Sequence, residues 1–228
     1  MQDTNPLYEA ILTGQAKEAR AFTEQALASG MDPLTLVNGA MSPAMDEVGR
    51  RFERNEYFVP ELLLSARAMK SALELIRPLL TARGAQPTGR VVIGTVKGDL
   101  HDIGKNLVAA LLEGGGFEVI DLGVNVPPEK FVATVREKNA HVVALSALLT
   151  TTMLSMKTTI DAIQDAGIRA QVKVLVGGAP VTKKFADDIG ADGYSENAAG
   201  AVALARETMA PAGCQKGSQI VAQSCPLP

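Results

Sequence analysis

The chain has 228 residues, of which 46% are hydrophobic and 21% are charged, so it can bury a sizeable core and wholesale disorder is excluded. Its formal net charge is −3 and only 4% of its residues are aromatic, which argues against a nucleic-acid-binding surface. No apolar run reaches the roughly 18 residues of a membrane-spanning helix, and the N-terminus lacks the blocks of a signal peptide. We therefore expect a cytoplasmic protein with neither nucleic acid nor a membrane as partner.

Residues 1–83 are predicted to form a helical cap domain. Apolar residues recur three and four positions apart through this segment, as they do on one face of an α-helix. Gly14, Gly30 and Pro33 interrupt the pattern, and the segment 55–60 interrupts it again. Four helices joined by short loops are typical of a small antiparallel bundle.

A linker is predicted at 84–89, and the pattern changes at residue 90. Short β-branched runs then alternate with helix-length amphipathic stretches, which predicts a parallel sheet with helices on both faces. Strands are predicted near 90–95, 117–121, 142–146, 173–176 and 192–195, and helices near 104–114, 128–138, 152–166, 182–189 and 197–209.

Residues 90–210 are thus predicted to form a flavodoxin- or Rossmann-like α/β domain with five parallel strands. In such a domain the ligand site lies at the C-terminal ends of the strands. Residues 211–228 have no periodicity and are predicted to be an irregular tail, in which Cys214 and Cys225 are interpreted as ordinary thiols.

The loop after the first strand concentrates polar side chains between Gly98 and Gly104. A phosphate-binding loop is rejected because five residues, rather than four, separate these glycines, and two aspartates would repel a phosphate. A metal-dependent phosphohydrolase is rejected because the chain has only 2 histidines. The second one, His141, is expected on the surface at the opposite end of the sheet.

Two interpretations of this loop remain. One is a polar loop with a structural histidine. The other is a single-histidine metal ligand: Asp99, two residues before His101, can hydrogen-bond one ring nitrogen and leave the other to bind a metal. One histidine cannot hold a bare metal ion, but it can be the axial ligand of a metal already held by a macrocycle such as a corrin.

Three short motifs stand in a spacing that resembles the cobalamin-binding signature of the methionine-synthase class: Asp99-x-His101-x-x-Gly104, then after 41 residues Ser146-x-Leu148, then after 28 residues Gly177-Gly178. Each motif alone is weak, but the three in register are highly specific. The helical N-terminal half is similar to the cap domain of that family, so the resemblance covers about residues 1–210. It is closest to the free-standing corrinoid proteins of methylamine, methanol and O-demethylase methyltransferase systems.

The resemblance implies a role for each matching residue. His101 would bind cobalt, Asp99 would hydrogen-bond His101, and the hydroxyl of Thr152 would complete this relay. Ser146, Leu148 and Thr150 would line a slot for the displaced nucleotide tail of the cofactor. The other residues expected to contact the cofactor are Gly98, Leu100, Asp102, Ile103, Gly104, Gly177, Gly178, Ala179, Tyr194, Asn197 and Ala198. The glycine pair would let the tail pass close to the backbone, where a Cβ would obstruct it.

In the cap, the resemblance implies that Phe52, Val59 and Leu62 shield the upper face of the cobalt, with ordinary bundle core as the alternative interpretation. Asn38 stands where methionine synthase has a cofactor-contacting glutamate, which puts that contact in doubt. Three methionines with helical spacing are expected to fill the core rather than bind cobalt: Met41, Met45 and Met69.

The function implied is that of a cobalamin-dependent methyl carrier, inert by itself. A substrate:corrinoid methyltransferase would load the cobalt, a second methyltransferase would pass the methyl group to tetrahydrofolate or a thiol, and a reductive activase would be a further partner. Three alternatives remain: a coenzyme-B12 mutase subunit, which normally lacks the cap; a B12-dependent light sensor, which adds a DNA-binding region; and a cobalamin storage or delivery protein.

Overall fold

The computed structural model describes residues 5–82 and 88–209. Most of the predicted linker and the tail with Cys214 and Cys225 lie outside the described residues. The N-terminal half is helical, as predicted, with α1 (Asn5–Leu12), α2 (Ala16–Ala28), α3 (Pro33–Leu36), a π-helix (Val37–Met41), α4 (Ser42–Glu53) and α5 (Val59–Ala82). Helix α3, the π-helix and α4 follow one another without a break. The described part of this half therefore forms four helical rods.

Local sequence explains how the third rod begins and why it widens. The Asp32 carboxylate caps α3 by accepting a hydrogen bond from Thr35 N–H at 3.1 Å, and Pro33 follows as the first helical residue. The π-helix immediately precedes Pro43 near the start of α4. Because proline has no N–H and its ring crowds the carbonyl four residues earlier, a wider turn relieves the helix at this point.

The bundle has an aliphatic core supplemented by methionine. Met41 and Met69 are fully buried and Met45 is 8% exposed, within a cluster that joins all four rods. Their prediction as core residues is confirmed. No helix in the described part of the chain has the length and apolar character needed to cross a membrane.

The second half is the predicted α/β fold, and its five strands are parallel. The strands are β1 (Arg90–Thr95), β2 (Glu118–Asp121), β3 (Val142–Ser146), β4 (Lys173–Gly177) and β5 (Gly193–Tyr194). The helices are α6 (Ile103–Gly114), α7 (Pro128–Lys138), α8 (Leu154–Asp165), α9 (Lys183–Asp188) and α10 (Ala198–Met209), with a 3-10 turn at Arg169–Gln171. The predicted boundaries agree with these within two residues.

The strand order β2-β1-β3-β4-β5 determines where a site can form. β2 lies on one side of β1 and β3 lies on the other, so the connections after these strands run in opposite directions. A crevice forms at this switch point, at the C-terminal ends of β1 and β3. The register pairs Thr95 with Ser146, and Ser146 with Gly177. The loops after β1, β3 and β4 therefore meet at one end of the sheet.

The helical bundle packs against α6 and α10. Lys70 Nζ lies 2.8 Å from Glu113 Oε2 across the contact of α5 with α6, and Arg206 of α10 pairs with Asp46 of α4. Leu111 of α6 is part of the same buried cluster as the bundle core. This packing brings Phe52, near the end of α4, to the C-terminal end of the sheet.

Candidate functional site

The loop between β1 and α6 carries an aspartate–histidine pair. Asp99 is fully buried, whereas the side chain of His101 is 50% exposed. Asp99 Oδ1 lies 2.7 Å from His101 Nδ1 and also accepts a hydrogen bond from His101 N–H at 3.1 Å. One carboxylate oxygen therefore holds both the ring and the backbone of the histidine.

The other oxygen of Asp99 is bonded to the loop after β3. Oδ2 accepts hydrogen bonds from the Thr152 hydroxyl at 2.6 Å, from Leu148 N–H at 2.8 Å and from Leu149 N–H at 3.3 Å. Burial by itself raises the pKa of Asp99, but the hydrogen bonds from Thr152, Leu148 and His101 outweigh it and hold the pKa well below its usual range. Asp99 is therefore ionised at neutral pH.

An ionised Asp99 determines which nitrogen of His101 carries the proton. A carboxylate only accepts hydrogen bonds, so Nδ1 must donate, and Nε2 then presents its lone pair. A ring oriented in this way by a carboxylate is typical of metal-binding histidines. Within residues 5–82 and 88–209, no group of three or more His, Cys, Asp or Glu side chains could hold a metal ion. The site thus offers a metal one imidazole nitrogen, which suits an ion whose other ligands come from a macrocycle.

His101 borders a cavity of about 640 Å³ at the C-terminal end of the sheet. The cavity extends along the sheet face between α6 and α10. Its walls come from the loop after β1, from β1, β3 and β4 with the residues that follow β3 and β4, and from both helices, and Phe52 contributes from the bundle. Two apolar side chains of the wall, Leu100 and Ile103, are 70% and 85% exposed. Exposed apolar side chains at a cavity of this size are typical of a site that buries them against a cofactor.

Most of the predicted contact residues line this cavity. The residues concerned are Phe52, Leu100, His101, Asp102, Ile103, Gly104, Ser146, Leu148, Gly177, Gly178, Ala179, Asn197 and Ala198. They come from regions far apart in the sequence, and the parallel register described above brings them together. Gly98 and Asp99 belong to the same loop but lie outside the cavity wall.

Two further predicted residues of the α/β half are also outside the wall. Thr150 is exposed in the loop after β3. Tyr194 pairs with Val176 in β5, and its side chain packs against the core on the sheet face covered by α7 and α8. The cavity lies on the other face, beside α6 and α10, so the alternation of side chains along a strand turns Tyr194 away from it.

The three cap residues predicted to shield the cobalt lie in different surroundings, and the shielding itself stays a prediction. Phe52 lines the cavity, but Leu62 is fully buried in the bundle core, and Val59, 42% exposed, is outside the cavity wall. For Leu62 the structure therefore fits the alternative interpretation as bundle core. Asn38 is exposed on the π-helix and is likewise outside the wall.

Gly178 lines the cavity, and the neighbouring backbone requires a glycine at this position. Its φ is +131°, and a Cβ there would lie 1.9 Å from the carbonyl oxygen of Ala147. No side chain can be accommodated at that distance, so the segments just after β3 and β4 approach this closely only because residue 178 is glycine. The need for glycine at this position thus has a reason within the protein itself, and its role in the passage of a nucleotide tail stays a prediction.

Several residues of the site were missed from the sequence. Ser195 and Glu196 line the cavity. Lys105 also lines it while being 3% exposed, and its Nζ lies 2.5 Å from Asp121 Oδ2 and 2.6 Å from Asn106 Oδ1. A lysine on an otherwise apolar helix, followed by an aspartate at the end of the next strand, was the available signal.

The second histidine lies where the sequence predicted it. His141 is exposed at the N-terminal end of β3, and its Nδ1 accepts a hydrogen bond from Arg90 N–H at 3.0 Å. It is thus at the end of the sheet opposite His101. This separation makes His141 a suitable control for experiments on His101.

Comparison with known proteins identifies the family. Two family models, both described as B12 binding domain, match residues 89–203 and 4–77. The trimethylamine corrinoid protein of Methanosarcina barkeri is 44% identical over 203 residues, which is 88% of this chain and 94% of that protein. The dimethylamine corrinoid protein of the same organism is 41% identical over 206 residues, 90% of this chain and 96% of that protein.

Solved structures agree with the sequence relatives. A cobalamin-binding protein from Desulfitobacterium hafniense is 33% identical, with a TM-score of 0.77 over 91% of this chain and 99% of that chain. A chain of the methanol:cobalamin methyltransferase complex from Methanosarcina barkeri is 32% identical, with a TM-score of 0.80 over 92% of this chain and 81% of that chain. The protein therefore belongs to the family of B12-binding corrinoid proteins.

Proposed function

We propose that this protein carries a methyl group on a bound corrinoid, from a substrate-specific methyltransferase to a second, methylcobamide-dependent methyltransferase. The observation that carries the proposal is the Asp99–His101 pair, which presents a single ring nitrogen beside a cavity. The names of the trimethylamine and dimethylamine corrinoid proteins favour a methylamine as the methyl source. A reductive activase as partner and a cytoplasmic location, both expected from the sequence, belong to the same proposal.

The residues present fit a corrinoid. His101 Nε2 would be the protein ligand, with the apolar Leu100 and Ile103 beside it, and the glycine pair after β4 would border the path of the nucleotide tail. When bound, the corrinoid supplies a cobalt centre that takes up and releases a methyl group. The protein supplies the ligand, its orientation and a mainly apolar cavity beside it.

Asp99 and Thr152 would control the proton on His101. The carboxylate keeps Nδ1 protonated and the ring in place, so that Nε2 stays available as a ligand. The Thr152 hydroxyl in turn holds this carboxylate by donating a hydrogen bond to Oδ2 at 2.6 Å.

The helical half would act as a cap. We propose the division into a cap at 1–83, a linker at 84–89, a corrinoid-binding domain at 90–210 and a tail at 211–228. Because Phe52 of the cap borders the cavity, a partner would have to move the cap to reach the bound group. Asp99 and Thr152 hydrogen-bond each other, and Asp99 also bonds His101, so neither is free to activate a methyl donor. This supports the view that activation of the methyl donor belongs to the partner enzyme.

The first test asks whether His101 binds cobalt. Protein labelled with ¹⁵N in its histidines is loaded with hydroxocobalamin, reduced to Co(II) and examined by electron paramagnetic resonance. Coupling to a ¹⁵N nucleus, seen as a doublet, is expected, and it should disappear in His101→Ala. His141→Ala is the matched control and should keep the doublet. Coupling only to the benzimidazole of the cofactor would contradict the proposal.

A second test separates a carrier from an enzyme. The loaded protein, reduced to Co(I), is mixed with trimethylamine, dimethylamine or monomethylamine, with and without the matching methyltransferase, and methylation of the cobalt is followed by absorption. Methylation is expected only when the methyltransferase is present. Rapid methylation without it would make the chain an enzyme in its own right.

A further inference from the structure

The loop that presents His101 is held mainly by bonds from outside itself. Residues 97–102, between β1 and α6, belong to neither a strand nor a helix. Their backbone groups have no ladder or helix partners, and several of them are bonded by residues outside the loop. Two of the residues that satisfy them, Thr95 and Asn125, have no part in the Asp99–Thr152 relay.

Thr95 holds the backbone of the histidine itself. Its side chain is buried, and its hydroxyl donates a hydrogen bond to the carbonyl oxygen of His101 at 2.8 Å. Thr95 is itself fixed, because its N–H donates to Gly123 O at 3.0 Å and its carbonyl accepts from Val126 N–H at 3.0 Å. The last residue of β1 thus ties the loop to the sheet.

Asn125 holds the other end of the loop from two sides. Its side-chain oxygen accepts a hydrogen bond from Gly98 N–H at 2.8 Å, and its own N–H donates to the carbonyl oxygen of Asp99 at 2.9 Å. The backbone of Asn125 is left-handed, with φ +52°. Among the non-glycine residues described, Asn55 and Asn139 also have a positive φ, +58° and +49°. Asparagine tolerates that conformation better than most residues.

We infer that Thr95 and Asn125 are positioning residues, which keep the His101 loop in its ligand-binding conformation while Nε2 has no metal bound. The inference rests on the proposed function, in which His101 binds cobalt. Asp99 and Thr152 act on the ring through Nδ1, whereas Thr95 and Asn125 act on the main chain on both sides of it. A loop that is already ordered loses less conformational entropy on binding, so losing either contact weakens His101 as a ligand.

The test uses paired substitutions. Thr95→Val removes the hydroxyl at nearly constant volume, and Thr95→Ser restores it. Asn125→Gly keeps the left-handed backbone but removes the side-chain acceptor, and Asn125→Asp keeps both. Two matched controls make the same changes elsewhere: Thr23→Val at a buried threonine of the bundle, and Asn139→Gly at a left-handed asparagine after α7.

The readout is competition at the metal. Unlabelled protein in the Co(II) state is titrated with [¹⁵N]imidazole, and the conversion of the His101 nitrogen triplet to a doublet gives the imidazole concentration at half displacement. Thr95→Val is expected to lower this concentration roughly threefold to tenfold, and Asn125→Gly, at an exposed site, about twofold to threefold. Thr95→Ser, Asn125→Asp and both controls should stay near the wild-type value.

A measurement without cofactor complements this titration. Asn125→Gly should speed hydrogen exchange of the Gly98 amide, because its acceptor is gone, whereas Asn139→Gly should leave that rate unchanged. Urea unfolding establishes that each variant is folded.

The outcomes separate the two proposals. If the wild-type protein shows no His101 nitrogen at cobalt, the proposed function is wrong and the inference is overturned with it. In the other case the wild-type protein shows that nitrogen, and both Thr95→Val and Asn125→Gly are folded. If His101 is then half displaced at the wild-type imidazole concentration in both variants, the inference alone is overturned. If Thr95→Val does not fold, the exposed Asn125→Gly decides the question.

Discussion

The Thr152 hydroxyl donates a hydrogen bond to Asp99 Oδ2 at 2.6 Å, although the two residues are 53 positions apart in the chain. The Leu149 carbonyl lies 2.9 Å from the same hydroxyl, but the hydroxyl has one proton and the ionised carboxylate is the stronger, closer acceptor. The contact joins the loops after β1 and β3 at the switch point of the sheet. It links the position of His101 to the packing of two separate strands.

Replacing this hydroxyl should therefore affect stability as well as the site. Thr152→Val removes a hydrogen-bond donor from the buried Asp99 carboxylate, so we expect the free energy of unfolding to fall by about 1–3 kcal/mol. Thr152→Ser keeps the donor, and its free energy of unfolding should fall by less. Urea unfolding at pH 7 measures both, and a loss in Thr152→Val no larger than that in Thr152→Ser would contradict a stabilising role for the hydrogen bond.

Asp99 should make stability depend on acid. Its pKa in the folded protein lies below the value of about 3.9 expected when the chain is unfolded, so its contribution is present above that value and is lost as the pH falls towards the folded pKa. In Asp99→Asn, the free energy of unfolding should fall less steeply below about pH 4 than in the wild type. Asp161→Asn, at an exposed carboxylate paired with Lys157, is the control and should follow the wild-type slope.

Phe52 should restrict escape of photolysis products from the loaded site. Phe52→Ala opens the cavity on the cap side, and we expect the net photolysis rate of protein loaded with methylcobalamin to rise severalfold because fewer radical pairs recombine. Phe58→Ala changes a phenylalanine that is 61% exposed and outside the cavity wall. Absorption spectra under steady illumination measure the rates, and equal rates for the two variants would contradict a shielding role for Phe52.

Gly178→Ala should be far more destabilising than an ordinary glycine substitution. The new Cβ would meet the Ala147 carbonyl oxygen at 1.9 Å, which forces apart the segments just after β3 and β4, so a loss of at least about 3 kcal/mol in the free energy of unfolding is expected. Gly190→Ala provides the comparison, because Gly190 also has a positive φ, +76°, but has nothing within 4 Å of an added Cβ. Its loss should be about 1–2 kcal/mol, the effect of the backbone conformation alone. Chemical denaturation of both variants separates the steric contribution from the conformational one.

Part of the site could be read from local sequence because its geometry is set by strand ends. The residues after β1, β3 and β4 follow continuous apolar runs, and parallel strands place their C-terminal ends together. The motifs at Asp99–Gly104, Ser146–Leu148 and Gly177–Gly178 therefore had to meet once the strands were correctly identified. The spacing of these motifs also carried the resemblance that pointed to a corrinoid.

The cap was harder to interpret because helical periodicity shows only that a residue faces something apolar. Phe52 and Leu62 have the same pattern in the sequence, yet Phe52 borders the cavity and Leu62 is buried in the bundle. Which apolar surface a helix face meets depends on how α4 and α5 pack on α6 and α10, and contacts of that kind join residues far apart in the chain.

The order of helices and strands and the polar loop with His101 could be predicted from local sequence, because apolar periodicity and glycine placement act over a few residues. The folded chain was needed to show that Thr95 and Asn125 hold that loop, that Lys105 pairs with Asp121, and that Gly178 makes room for Ala147. Those contacts depend on the twist and register of neighbouring strands, where a shift of one residue would exchange the two faces of the sheet. A pattern of residue types along one strand does not contain that information.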